Sequence, residues 1–140
     1  MKTETPGIPS GAVKGSILLA DDEVNFRQAA EVLLREKGYH CDAVPDAYAA
    51  AALLQTNDYD VDILDIRMPG NTDLELAHDL AGTPAGPAVI LITGYPSLMP
   101  PLEPAQLPCL AYLLKPFTVD ELMAEVQHAV TMHKKGERET

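Results

Sequence analysis

The sequence predicts an α/β fold: a doubly wound, five-stranded parallel sheet in the order 2-1-3-4-5, with helices on both faces and a short or disrupted fourth helix. Three observations carry that expectation. Short apolar runs suited to buried strands alternate with segments whose apolar residues recur every three or four positions, and such alternation argues for a parallel sheet, because parallel strands need crossovers. Polar residues of distinct type stand at four of the five strand ends, where open α/β sheets carry their chemistry. With 140 residues, 46% of them hydrophobic, the chain can build one core of ordinary size and hardly a second.

Residues 1–15 contain Thr, Gly, Pro and Ser with little apolar periodicity and read as a flexible leader. Ser16 to Ala20 is a compact apolar strand, ended by Asp21-Asp22-Glu23. Phe26, Ala29, Ala30, Leu33 and Leu34 then mark an amphipathic helix that Gly38 can stop as a left-handed cap. Tyr39 to Val44 is a second strand, weaker in pattern. Asp46 to Gln55 is rich in strong helix formers and puts Ala49, Ala50, Leu53 and Leu54 on one side.

The third strand runs into Ile63-Leu64-Asp65-Ile66-Arg67-Met68-Pro69-Gly70, where Pro69-Gly70 breaks the backbone and leaves Asp65 at a strand's carboxyl end. Asp62 interrupts that apolar run. A carboxylate in a strand covered on both faces costs stability unless it is paired or lies near an edge, and the sequence leaves both open. Thr72 to Leu80 forms the next helix, ended by Gly82-Thr83-Pro84, and Ala88 to Ile92 is the clearest buried strand, leading into Thr93-Gly94.

Five prolines fall between Pro96 and Pro108, each lacking the N–H that a helix interior needs, so a fourth helix there can only be short. Leu110 to Leu114 is the last strand, ending at Lys115-Pro116. Thr118-Val119-Asp120-Glu121 has the capping-box pattern, and Leu122, Val126, Ala129 and Val130 make the stripe of a closing helix. The folded unit is expected over residues 16–132, followed by a polar tail, 133–140.

A formal charge of −11 repels a phosphate backbone, and the few Lys and Arg residues form no stripe to neutralise one, so the chain alone is not expected to bind nucleic acid. No apolar run reaches the ~20 residues that span a bilayer, and the amino terminus has no signal-peptide core. A cytoplasmic protein without membrane contact is therefore expected. Cys41 and Cys109 show no metal-like spacing and read as buried thiols.

In a sheet of order 2-1-3-4-5 the first and third strands are neighbours, and the winding switch between them opens a crevice at their carboxyl ends. Asp21, Asp22, Asp65, Thr93 and Lys115 can converge there. Three carboxylates together repel one another and favour a cation among them. Oxygen ligands without His or Cys suit a hard ion such as Mg²⁺, which bridges carboxylates to phosphoryl groups. Asp65 is then a nucleophile of the aspartyl-phosphate kind. Lys115 offsets developing phosphoryl charge, and the Thr93 hydroxyl donates to a phosphoryl oxygen.

These residues resemble the receiver domain of two-component response regulators, a flavodoxin-like fold. The likeness rests on Asp-Asp-Glu after the first strand, Leu-Asp-Ile-Arg-Met-Pro-Gly around Asp65, Thr93 after the fourth strand and Tyr-Leu-Leu-Lys-Pro-Phe at the fifth, and covers about residues 16–132. The resemblance implies phosphorylation of Asp65 by a histidine kinase or histidine phosphotransfer protein, with an unknown downstream protein target. It implies Mg²⁺ held by Asp22, Asp65 and the Arg67 backbone carbonyl, and by Asp21 through water. It further implies that Thr93 and Tyr112 are a switch pair, that the Lys115-Pro116 bond is cis, and that the chain is a signalling phosphoacceptor rather than an enzyme, assisting its own phosphorylation and a slow autodephosphorylation. The chain departs from many relatives in carrying Asn71-Thr72-Asp73 after Pro69-Gly70, and in its Pro-rich replacement of the fourth helix.

A flavin protein of this topology needs a Gly/Ser/Thr-rich phosphate loop after the first strand, where Asp21-Asp22-Glu23 would repel the phosphate. A phosphatase of the haloacid-dehalogenase type needs a second Asp two residues beyond its nucleophile. That position is Arg67, which cannot shuttle the proton. The remaining alternative is a receiver-like interaction module that works without phosphorylation. A stand-alone receiver is expected, since the residues left over are too few for an output domain. Arg67 and Tyr95 flank the expected phosphoryl group and are bulky enough to obstruct an attacking water.

Overall fold

A computed structural model of the chain describes residues 13–66, 86–94 and 110–139, with side chains of the final helix described to Lys135. Its strands are β1 (Ser16–Ala20), β2 (His40–Val44), β3 (Val61–Asp65), β4 (Ala88–Thr93) and β5 (Ala111–Leu114), and its described helices are α1 (Val24–Glu36), α2 (Ala47–Thr56) and α3 (Val119–Glu139). The strands pair in parallel in the order β2-β1-β3-β4-β5, as the sequence predicts.

Strand alternation sorts the core into two layers. Ile17, Leu19, Val61, Ile63, Ile90 and Ile92 face α1 and α3, where they meet Leu34, Leu122, Val126 and Ala129. Leu18, Ala20, Leu64, Val89 and Leu91 face the opposite way, against Ala47 and Ala50 of α2. Each fully buried aliphatic side chain contributes roughly 1.5–3 kcal/mol of transfer free energy, which holds the helices on the sheet. The stripe read from the sequence of α3, Leu122, Val126, Ala129 and Val130, is buried throughout.

Helix ends follow their local chemistry. In α1 the Tyr39 N–H donates to Leu34 O and the Gly38 N–H to Arg35 O, both at 3.1 Å, the Schellman pattern. Gly38 takes φ +101° to close it. The α2 segment begins at Ala47, because the Asp46 carboxylate caps it by accepting from the Ala49 N–H at 2.8 Å. Its sheet-facing residues are Ala47 and Ala50, with Leu53 and Leu54 partly buried. Ala49, expected on that side, is only half-buried, since the helical repeat brings Ala47 round in its place. At α3 both arms of the capping box form: Thr118 N–H to Glu121 Oε1 at 2.9 Å and Glu121 N–H to Thr118 Oγ1 at 3.0 Å.

The helix continues through residues 133–139, read from the sequence as a tail. His133 is half-buried there, its Nδ1 2.9 Å from Asp60 Oδ1, while Asp60 Oδ2 accepts from the Ser16 N–H at 2.9 Å. This polar knot ties α3 to the amino ends of β1 and β3.

Asp62 resolves differently from either sequence reading. It lies in β3, between β1 and β4 and away from both edges, with 0% exposure. Neither carboxylate oxygen has a hydrogen-bond partner among the described residues. Burial pushes its pKa up to about 8, so the group stays protonated near neutrality instead of finding a partner. The expected helix over 72–80, the Pro-rich stretch, Arg67, Tyr95 and Cys109 lie outside the described residues. No helix among those described is long and apolar enough to cross a membrane.

Candidate functional site

The carboxyl ends of β1, β3, β4 and β5 meet at one rim of the sheet. As the chain leaves β1, the Asp21 N–H donates to Val44 O at 3.1 Å, which fixes the turn. The buried Asp21 carboxylate accepts from the Glu23 N–H at 2.8 Å, and Arg27 Nη1 donates to the Asp21 carbonyl at 2.8 Å. Asp65 closes β3 in register with Ile92, and Ile66 N–H extends the ladder to Ile92 O at 2.9 Å. Thr93, also buried, closes β4, and its carbonyl accepts from the Lys115 N–H at 2.7 Å. The Lys115-Pro116 bond is cis.

The sequence-derived candidates Asp21, Asp22, Asp65 and Lys115 come together. Carboxylate oxygens of the three aspartates all lie within 4.8 Å of one another, with Asp21 and Asp65 buried and Asp22 exposed. Oxygen donors at that spacing fit a hard cation that keeps part of its water shell, so the donor set is compatible with Mg²⁺. Lys115 Nζ donates to Asp21 Oδ2 and to Glu23 Oε1, each at 2.7 Å, and stands 3.6 Å from Asp65 Oδ2. Burial draws the pKa of this ammonium down, but the hydrogen bonds it donates to Asp21 and Glu23 and the charges of Asp21 and Asp65 outweigh it and leave the value raised. Lys115 is therefore a fixed positive charge among anions. A cavity of about 880 Å³ opens over Asp65, bordered by Asp22, Glu23, Phe26, Gly94 and Lys115.

Thr93 and Tyr112 occupy adjacent strands and the same face of the sheet, Thr93 paired in register with Leu114 and Tyr112 with Leu91. The Tyr112 ring is half-buried against the layer that includes Leu64 and Leu91. Arg67, expected to offer a carbonyl, is outside the described residues.

Two residues at the site were not singled out by the sequence. Glu23 reads there as the end of an acidic turn, and Phe26 as the first apolar residue of a helix stripe. In the structure the Phe26 ring lies 4.3 Å from Lys115 Nζ and meets the Phe117 ring edge-on at 5.7 Å. Their three-residue spacing across the start of α1, directly after a strand end, is the signal that sets both on the pocket side.

Residues 17–127 match the family described as the response regulator receiver domain. Among curated proteins, the chain is 29% identical over 121 residues to the transcriptional regulatory protein PdtaR of Mycobacterium tuberculosis, covering 86% of this chain and 58% of that protein. It is 30% identical over 123 residues to the transcriptional regulatory protein TcrA of the same organism, covering 87% of this chain and 49% of that one. The chain thus spans about half the length of these curated relatives. Among solved structures, the response regulator TrrA of Thermotoga maritima, in complex with Mg²⁺ and BeF, superposes with a TM-score of 0.69 at 32% identity, covering 81% of this chain and 97% of that one.

Proposed function

The chain belongs to the response regulator receiver domain family, and from that premise we propose that it is a cytoplasmic phosphoacceptor whose Asp65 takes a phosphoryl group from a histidine kinase or histidine phosphotransfer protein. The transfer resets a surface read by a downstream protein. The observation that carries this reading is the pocket itself: Lys115 Nζ 3.6 Å from Asp65 Oδ2, beside three aspartates whose oxygens cluster within 4.8 Å.

In the transfer, an Asp65 carboxylate oxygen attacks phosphorus. The new P–O bond forms as the P–N bond of the phosphohistidine breaks, and the leaving imidazole keeps the electron pair and takes up a proton. Asp22 and Asp65, with Asp21 through water and the Arg67 carbonyl that the family resemblance adds, would hold Mg²⁺, which would supply neutralisation of carboxylate and phosphoryl charge. Lys115 gives a compact ammonium to the phosphoryl oxygens, and Thr93 gives its hydroxyl proton as a hydrogen bond. Thr93 and Tyr112 share a face of the sheet, so a shift of Thr93 toward the phosphoryl group is felt at the Tyr112 ring and from there at the surface. The Mg²⁺–BeF complex of the Thermotoga relative supports the assignment, because beryllium fluoride has the tetrahedral form and negative charge of a phosphoryl group.

The test is intact mass after incubation with Mg²⁺ and acetyl phosphate. One labile phosphoryl adduct is expected on the wild-type chain and none on Asp65→Asn. No adduct on the wild type, or one that survives Asp65→Asn, removes the assignment.

A further inference from the structure

We propose that Glu23 is a positioning residue that parks Lys115 in the resting pocket and so sets how readily Asp65 accepts a phosphoryl group. The inference rests on the phosphoacceptor reading of Asp65. An ammonium has three N–H donors, and two of those on Lys115 are committed at 2.7 Å, one to Asp21 Oδ2 and one to Glu23 Oε1. Asp65 Oδ2, at 3.6 Å, is beyond hydrogen-bond reach of the same nitrogen. The Phe26 ring closes the seat, 4.3 Å from the ammonium.

Among the described residues, the Glu23 side chain is the part of this seat with no other hydrogen-bond partner. Glu23 is the N-cap residue of α1, yet its side chain makes no capping hydrogen bond. The Asp21 carboxylate, by contrast, is held through its second oxygen by the Glu23 backbone N–H at 2.8 Å and also belongs to the cation-binding trio. Glu23 is thus an anion added to the pocket whose described use is to hold the lysine. A phosphoryl group on Asp65 brings anionic oxygens that compete for the same ammonium. Every such state must be reached by loosening the Glu23 contact or sharing the charge across it, and both raise its energy relative to the resting pocket. The Glu23 side chain is 62% exposed, so the contact is a weak one and the lysine is released with little cost.

Three proteins test this: wild type, Glu23→Gln and Glu23→Asp. Aspartate keeps the charge but, shorter by a methylene, cannot keep the 2.7 Å contact, and it remains a good N-cap residue. The readouts are the rate of Asp65 phosphorylation by acetyl phosphate and the apparent affinity for beryllium fluoride at saturating Mg²⁺. Both variants are expected to gain about two- to fivefold in each, the range that an exposed ion pair commands. In a Lys115→Gln background the gain in beryllium fluoride affinity should vanish, because Glu23 then has no lysine to hold. Variants that match or fall below wild type overturn the inference. So does a gain confined to Glu23→Gln, which marks plain charge repulsion, or a gain that persists without Lys115. A wild type that forms no adduct instead strikes the phosphoacceptor reading, so the two failures are distinct.

Discussion

Asp62 is the residue whose behaviour departs furthest from ordinary sheet chemistry. A carboxyl group pushed up to about 8 in the folded chain is an ordinary acid when the chain unfolds. Because the folded value is the higher one, the stabilising contribution is complete in acid, below the unfolded pKa of about 3.9, and is lost as pH rises toward the folded value. At neutral pH this loss is on the order of 3–4 kcal/mol. Asp62→Val is expected to raise the unfolding free energy, and urea titrations should show its advantage over wild type widening between pH 5 and 8. An advantage that stays level across that range would defeat the explanation. The sequence marked Asp62 as out of place, but two remedies, pairing and an edge, were conceivable from residues alone. The third, a retained proton, depends on burial, which only the assembled sheet reveals. Glu23 was hidden for a similar reason, since its partner Lys115 lies 92 positions away.

At the level of the elements, the most legible features were those decided within a few residues. The turn at Gly38 and the capping box at Thr118 both formed where local chemistry put them. Gly38→Ala forces φ +101° on a residue with a Cβ, which would also approach the Lys14 side chain to 3.2 Å, and should cost about 1–2 kcal/mol. Thr118→Ala deletes one arm of the α3 cap and should cost about 1 kcal/mol. Denaturant midpoints with unchanged slopes check both, and a neutral Gly38→Ala would show that the turn relaxes. The inward face of α2 was less legible because Ala47 and Ala49 to Ala52 are identical in kind, so composition cannot rank them. Only docking against Leu18, Leu64 and Leu91 selects Ala47 and Ala50.

At the scale of the whole molecule, sheet order and site location were readable together. A parallel sheet with its winding switch between β1 and β3 has one reactive rim, and strand-end residues could be assigned to it before any distance was known. The same acidic rim in a chain of net charge −11 predicts a global response to metal. Mg²⁺ at ten times its Kd should raise the unfolding free energy by about 1.4 kcal/mol, detectable as a higher Tm that chelation reverses and Asp21→Asn abolishes. An equal rise in Asp21→Asn would place the ion elsewhere. The contact between Lys115 and Asp21 joins residues 94 positions apart, from the edge strand β5 to β1 in the sheet interior. Until the final strand docks, the rim carboxylates lack the Lys115 ammonium, an arrangement able to draw a cation but, on the phosphoacceptor reading, ill suited to an anionic phosphodonor. On the phosphoacceptor reading, competence to take up a phosphoryl group is therefore acquired only when the far edge of the sheet is in place, so that the chemistry of the site would act as its own check on folding.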